Sequence, residues 1–279
     1  MKKSKTGGVL ILDFGSQYTQ LIARRVRENN VYSEILPPNT SLTSILSKNP
    51  KAIILSGGPA SVFSDNAPNF DKEILNINIP ILGICYGLQL IVHHSGGTVA
   101  STGEGEYGFA TIKIETKNGI TKNMSSSSEV WMSHMDQVTK VPHDWKVVAY
   151  SSNNIVAAIA SNDQMRVATQ FHPEVSHTEE GNILINNFLF HISGCKRNWT
   201  PGNFVNDEIT SLKNKIGNNR ILVGVSGGVD STVVASLINK AVGNKCFAVL
   251  IDHGLLRKNE ARDCVNDLKK GLGMNIHLY

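Results

Sequence analysis

Along the first ninety residues, short apolar runs alternate with segments whose apolar residues recur every three or four positions. Residues 8–13 read as a buried strand, and 17–29 as a helix that turns Leu21, Ile22 and Val26 inward. A second strand over 32–36 ends at Pro37-Pro38, 41–48 is a short helix, and 52–56 and 81–84 are further strands. A helix through Leu88, Leu90, Ile91 and Val92 follows. Strands alternating with helices predict parallel pairing and a sheet covered on both faces.

From Ala110 onward the rhythm changes to short β-type runs at 110–114, 130–132, 145–149, 155–159 and 167–171. These predict an antiparallel extension that returns to the main sheet near Phe171, after which 181–191 packs as a helix. Residues 193–202 hold Gly194, Pro201 and Gly202 with little periodicity, and are expected to separate two domains, 7–199 and 200–279. Beyond them lie a helix at 204–216, a strand at 221–225, a helix at 231–242, a strand at 246–251, a helix at 259–272 and the opening of another strand at 275–279. The expected fold class is α/β: a mostly parallel open sheet with an antiparallel extension, then the first part of a second α/β domain. That second domain stops mid-pattern, with too few layers to close a doubly wound sheet.

Composition narrows the class further. The 279 residues are 41% hydrophobic and 18% charged, which is globular composition. The net charge of +4 comes from scattered Lys and Arg, so neither a nucleic-acid groove nor a membrane surface is expected as partner. No apolar run approaches the roughly 20 residues of a membrane-spanning helix. After the basic start Lys2-Lys3-Ser4-Lys5, the run 9–12 is too short for a secretory signal. Cys85, Cys195, Cys246 and Cys264 show no CxxC pairing, so free thiols in a reducing cytoplasm are expected.

Gly83-Ile84-Cys85-Tyr86-Gly87 stands where the strand 81–84 meets the next helix. This is the G-x-nucleophile-x-G arrangement of a strand–turn–helix elbow, with sulfur as the nucleophile. Glycines flank it because the turn crowds neighbouring Cβ atoms. The helix N-terminus behind it favours a thiolate, and the Tyr86 N–H is aimed at a developing oxyanion. The bland alternative is a buried structural cysteine. A base is required, and His172-Pro173-Glu174 follows the run 167–171. In an extended segment positions 172 and 174 project to the same side, so Glu174 would orient the His172 imidazole. His93, His94, His134, His143 and His177 have no acid so well placed. Ser56-Gly57-Gly58-Pro59 follows another strand, and the Gly58 N–H is a second candidate oxyanion donor.

Together, Gly83-Ile84-Cys85-Tyr86-Gly87-Leu88-Gln89, Ser56-Gly57-Gly58-Pro59 and His172-Pro173-Glu174 resemble the class I, triad-type glutamine amidotransferases. The run Asp13-Phe14-Gly15-Ser16-Gln17-Tyr18-Thr19-Gln20-Leu21-Ile22-Ala23-Arg24-Arg25 resembles the opening of the GMP synthetase family. The resemblance implies Cys85 as nucleophile, His172 as base and Glu174 as orienter, with Gln89, Ser133 and His134 holding glutamine. That family carries Gly after this Ser-His, where the present chain has Met135. If the backbone there needs a positive φ, weaker glutamine binding is expected.

A second constellation, Ser226-Gly227-Gly228-Val229-Asp230-Ser231-Thr232, follows the strand 221–225 and opens a helix. Small residues let successive N–H groups wrap a phosphate at a helix N-terminus, and Ser226, Ser231 and Thr232 add hydroxyls. Asp230 is a candidate Mg²⁺ ligand, and no Gly-Lys-Ser/Thr of a P-loop is present. The loop resembles the pyrophosphate loop of the N-type ATP pyrophosphatases, and residues 249–260 resemble that family's next strand and turn.

The joint resemblance runs from about Gly8 to Tyr279. It implies glutamine, ATP and xanthosine monophosphate as substrates, Mg²⁺ with the ATP, and no prosthetic group. Glutamine hydrolysis at the triad would supply ammonia to an ATP-dependent adenylating site that makes GMP. The family's further C-terminal domain recognises the nucleotide and forms a homodimer. This chain is therefore expected to be an N-terminal portion that cannot complete GMP synthesis alone. Two alternatives stand beside this. One is a glutaminase of another synthetase, as in anthranilate or carbamoyl phosphate synthesis, against which the phosphate loop argues. The other is a non-catalytic truncated remnant, supported only by Met135 and the incomplete second domain.

Overall fold

The computed structural model describes residues 7–68, 70–117 and 119–279, and not the side chains of Thr102 and Glu104. The basic start at Lys2-Lys3-Ser4-Lys5 lies outside the described residues. The chain forms two compact units that divide between Trp199 and Thr200.

The first unit opens with β1 (Val9–Leu12), α1 (Thr19–Glu28), β2 (Ser33–Leu36), α2 (Leu42–Ser47), β3 (Ala52–Leu55), β4 (Ile81–Ile84) and α3 (Tyr86–His94). It continues with β5 (Thr98–Ile114), β6 (Ser127–Lys140), β7 (Trp145–Ser151), β8 (Val156–Ser161), β9 (Arg166–Thr169) and α4 (Gly181–Asn186). Its strands make one sheet in the order β2-β1-β3-β4-β9-β8-β7-β5-β6. Pairing is parallel from β2 to β9 and antiparallel from β9 to β6. The parallel open sheet with an antiparallel extension is thus what these residues build.

Both faces of the parallel part are buried. Val9, Ile11, Ala52 and Ile54 enter one core, and Leu10, Leu12, Ile53 and Leu55 the other. That is why these strands read as unbroken apolar runs. Helix α1 lays Ile22, Ala23 and Val26 on the first face, and α3 brings Leu88, Leu90, Ile91 and Val92 to the second. Ser41 caps α2 by accepting from the Ser44 N–H.

Strands β5 and β6 are far longer than the runs 110–114 and 130–132 predict, at 17 and 14 residues. The reason is chemical. The inward face of β6 carries Val130 and Met132 but continues through His134 and Asp136, which are buried and polar. The added part of β5 is rich in glycine, at Gly103, Gly105 and Gly108. Cross-strand pairing, with a register shift between Ser101 and Glu106, holds that part in place where no apolar run announces it. The helix expected over 181–191 begins as α4 and widens into a π-helical turn over Asn187–Ile192. There the buried Asn187 side chain donates to the carbonyls of Ile120 and Lys122.

The second unit runs α5 (Pro201–Ile216), β10 (Ile221–Val225), α6 (Val229–Val242), β11 (Cys246–Leu250), α7 (Glu260–Leu272) and β12 (Ile276–Leu278). Its strands pair in parallel in the order β10-β11-β12. Helix α5 begins at Pro201, inside the stretch read as a boundary. Thr200 Oγ1 accepts from the Asn203 N–H at 3.1 Å, and proline suits a first helical turn. Val223, Val225, Ala248 and Leu250 pack with Ala235, Ile238, Val265 and Leu268. On the opposite face Leu222 is 73% exposed, where parallel sheets are usually covered.

Candidate active site

Cys85 sits between β4 and α3 with φ 52° and ψ −103°, a left-handed value that non-glycine residues rarely adopt. Its N–H donates to the Thr169 carbonyl at 2.7 Å, and the Gly87 N–H to the Ser56 carbonyl at 3.1 Å. The elbow fits only because its flanks are glycine. A Cβ on Gly83 would lie 2.6 Å from the Gly87 carbonyl oxygen, and one on Gly87 would lie 2.3 Å from that of Leu55. The sulfur lies 3.5 Å from the Ser133 carbonyl and 3.7 Å from Gln170 Nε2.

His172 reaches the same place from beyond β9. Its N–H donates to the Trp131 carbonyl, and its own carbonyl accepts from Thr178 Oγ1 at 2.7 Å. Its Nδ1 lies 2.8 Å from Glu174 Oε1. The sequence predicts that the pair meets through an extended segment, and the structure corrects this. Residues 173 and 174 form a turn, which brings the carboxylate round onto the ring. Burial works against a charged imidazole. The Glu174 charge, hydrogen bonding with Cys85 and Glu174, and the charge of the Cys85 sulfur overcome it and push the His172 pKa up to about 10. Glu174 is fully buried, and its Oε2 has no hydrogen-bond partner among the described residues. A carboxylate in that position needs a counter-charge, and the imidazolium is the one at hand. The Arg25 Nε–H holds the loop by donating to the Glu174 backbone carbonyl at 2.9 Å.

Two cavities meet at Cys85. One, of about 320 Å³, is lined by Gly58, Gln89, Ser133, His134, Met135 and Asp136 among others. The other, of about 230 Å³, is bounded by Gly58, Ser133 and His172 with Ser16 and Tyr18. Gly58 therefore borders both, and Tyr86 opens α3 directly behind the sulfur. The Tyr86 ring packs against Phe14, and burial raises its phenol pKa. Gln89 Nε2 is engaged with the Asp136 carbonyl at 3.0 Å. The His134 ring is turned into the protein. Its Nδ1 lies 3.1 Å from the Asp136 carbonyl and its Nε2 3.3 Å from Glu106 Oε2. Met135 is 48% exposed in β6 and has no positive φ, so the backbone strain expected from replacing a glycine is absent. Ser61 and Asp136 line the larger cavity, and the sequence pattern does not single them out. Asp136 is legible in principle, since it follows Val130, Met132 and His134 on one face of β6.

In the second unit, Ser226 to Gly228 form an exposed turn before α6, and Val229 to Thr232 are its first residues. The helix begins two residues earlier than expected. Gly227 has φ 83°, the Ser226 N–H donates to Ser231 Oγ at 3.1 Å, and Thr232 Oγ1 donates to the Gly228 carbonyl at 2.8 Å. The helix has no side-chain cap, which leaves N–H groups of its first turn without an intrahelical partner. Asp230 lies in that exposed first turn.

Comparison with known proteins agrees with this division. The class-I glutamine amidotransferase family matches residues 10–192, and the PP-loop domain matches 202–278. A curated glutamine-hydrolysing GMP synthase of Fusobacterium nucleatum is 46% identical over 98% of this chain and 53% of its own length. That of Caldicellulosiruptor saccharolyticus is 47% identical over 96% of this chain and 52% of its own length. The chain thus spans about half the length of the curated relatives it matches. The crystal structure of a candidate GMP synthase subunit from Thermoplasma acidophilum superposes with a TM-score of 0.57 at 32% identity, covering 66% of this chain and 92% of that one. The chain therefore belongs to the class-I glutamine amidotransferase family and carries a PP-loop domain after it.

Proposed function

We propose that the first unit hydrolyses glutamine at Cys85, His172 and Glu174, and that the chain serves glutamine-dependent synthesis of GMP. The observation that carries this is the buried His172–Glu174 pair set against a cysteine on a strained elbow. In this reading, the Cys85 thiolate attacks the carboxamide carbon, and the oxyanion is held by the N–H groups of Tyr86 and Gly58. The imidazolium of His172 gives its proton to the departing amine, and ammonia leaves behind a glutamyl thioester. Water then attacks with His172 as base, which releases glutamate, expels the sulfur as thiolate and restores the thiolate–imidazolium pair. Gln89, Ser133 and the exposed edge of the His134–Asp136 segment form the wall against which glutamine lies. Four free thiols fit a cytoplasmic setting.

For the second unit, the turn at Ser226–Gly228 and the start of α6 are suited to the pyrophosphate of ATP. ATP would adenylate the C2 oxygen of xanthosine monophosphate with loss of pyrophosphate, and ammonia would then displace AMP to give GMP. Among the described residues no cluster of three or more His, Cys, Asp or Glu is placed for a metal. Mg²⁺ accompanying the ATP would be carried by phosphates and one or two carboxylates. Asp230 is the carboxylate at hand, and the ion's contribution is to neutralise phosphate charge. The homodimer that the resemblance implies remains part of this proposal. Ammonia release from glutamine by the chain, abolished in Cys85→Ala, is the test of the first half.

A further inference from the structure

Outside the triad, the first unit buries a second acid–imidazole pair that the chemistry above leaves unused. Glu106 on β5 and His134 on β6 are register partners across the antiparallel ribbon. Glu106 Oε2 lies 3.3 Å from His134 Nε2, with the side chains 7% and 1% exposed. Elimination assigns the protons. His134 Nδ1 lies 3.1 Å from the Asp136 carbonyl, which only accepts, so Nδ1 carries a hydrogen. Glu106 Oε1 already accepts from Ser151 Oγ at 2.8 Å and from Asn153 Nδ2 at 2.9 Å. The remaining contact holds one proton between Nε2 and Oε2, as imidazolium and carboxylate or as imidazole and carboxylic acid. Burial holds the His134 pKa below its ordinary value, opposed by Glu106 and the Asp136 carbonyl and reinforced by the charge of His172.

The carbonyl that His134 grips is the one that also accepts from Gln89 Nε2 at 3.0 Å. A chain of contacts therefore runs from Ser151 and Asn153 through Glu106 and His134 to the Asp136 carbonyl and Gln89, at the wall of the larger cavity beside Cys85. We infer that Glu106 is a positioning residue for the amino acid the thiol attacks: through His134 it fixes the Asp136 carbonyl, and with it the Gln89 side of the cavity. It touches neither substrate nor sulfur, and His134 acts from behind the wall. The inference rests on the glutaminase reading above.

The test uses the full chain and two reagents for Cys85: 6-diazo-5-oxo-L-norleucine, a glutamine-like electrophile, and iodoacetamide, which needs no recognition. Glu106→Leu removes every acceptor at near-constant bulk. It is expected to raise the half-saturating concentration of the diazo reagent about tenfold or more, with the iodoacetamide rate held within about threefold. Glu106→Gln accepts from Ser151 and Asn153 and donates to His134 Nε2, so it restores half-saturation to within about threefold of the unsubstituted chain. Unchanged half-saturation in folded Glu106→Leu, or equal losses with both reagents, overturns the inference. If Glu106→Leu does not fold, the ¹⁵N shifts of His134 in the unsubstituted chain decide. A hydrogen on Nδ1 is expected, and a bare Nδ1 with hydrogen on Nε2 alone overturns the inference. An unsubstituted chain that the diazo reagent does not label overturns the glutaminase reading instead.

Discussion

The Nδ1 of His172 and the Oε1 of Glu174 lie 2.8 Å apart in a turn that buries both side chains, with Pro173 between them. Proline fixes φ at the middle position, so the acid is held on the ring by the backbone itself. The consequence is a charge state: the imidazole stays protonated far above the range of a free histidine.

The first prediction concerns rate. Glutaminase kcat/KM is expected to hold through neutral pH and to fall as pH rises toward about 10, where His172 loses its proton. Glu174→Gln removes the strongest influence favouring the imidazolium. It should move the alkaline limb toward neutrality and lower kcat by a factor on the order of 10³. A pH–rate profile of both forms checks this.

The second concerns stability, and its sign follows from the same shift. The folded pKa lies above the unfolded value of about 6.5, so the stabilisation is full below that pH and is lost as pH rises through about 10. Urea midpoints should therefore fall between neutral and strongly alkaline pH in the unsubstituted chain, and fall less in Glu174→Gln.

The third concerns the elbow. Cys85 at φ 52° costs backbone energy that glycine would not. Cys85→Gly should be more stable than Cys85→Ala by about 1 kcal/mol while both are inactive. Gly87→Ala should lower stability by about 3 kcal/mol, since its new Cβ meets the Leu55 carbonyl oxygen at 2.3 Å. Thermal unfolding of the three variants separates these effects.

The fourth lies away from the chemistry. Arg166 on β9 donates to the carbonyls of Leu75 at 2.8 Å, Ile79 at 3.1 Å and Ile77, tying down the segment that leads into β4. Arg166→Met orphans these acceptors and should lower stability by about 2 kcal/mol, with the KM for glutamine unchanged. Unfolding curves and steady-state kinetics on one preparation test both halves.

The parts that can be read from the chain are those where apolar spacing or covalent sequence does the positioning. Strands β1, β3 and β4 are apolar throughout, and β4 runs straight into Cys85. His172 and Glu174 are two residues apart, so their pairing needs only a local turn. What stays hidden depends on contacts between distant segments. The far halves of β5 and β6 bury Glu106, His134 and Asp136 where apolar residues would have marked a strand, because that end of the ribbon forms the wall beside the sulfur. Glu106 meets His134 only through a register shift that no local pattern encodes. The start of α5 is hidden for a simpler reason, since Pro201 signals a break as readily as a first turn.

The central claim is that Cys85 becomes acylated by glutamine with His172 supplying and taking the proton. Acid-quenched mass spectrometry of the chain mixed with glutamine measures this directly. The expected result is a glutamyl adduct on the peptide carrying Cys85, formed within a turnover and lost in Cys85→Ala. Glutamine consumed with no adduct in that peptide, or an adduct that forms equally fast in His172→Ala, would contradict it.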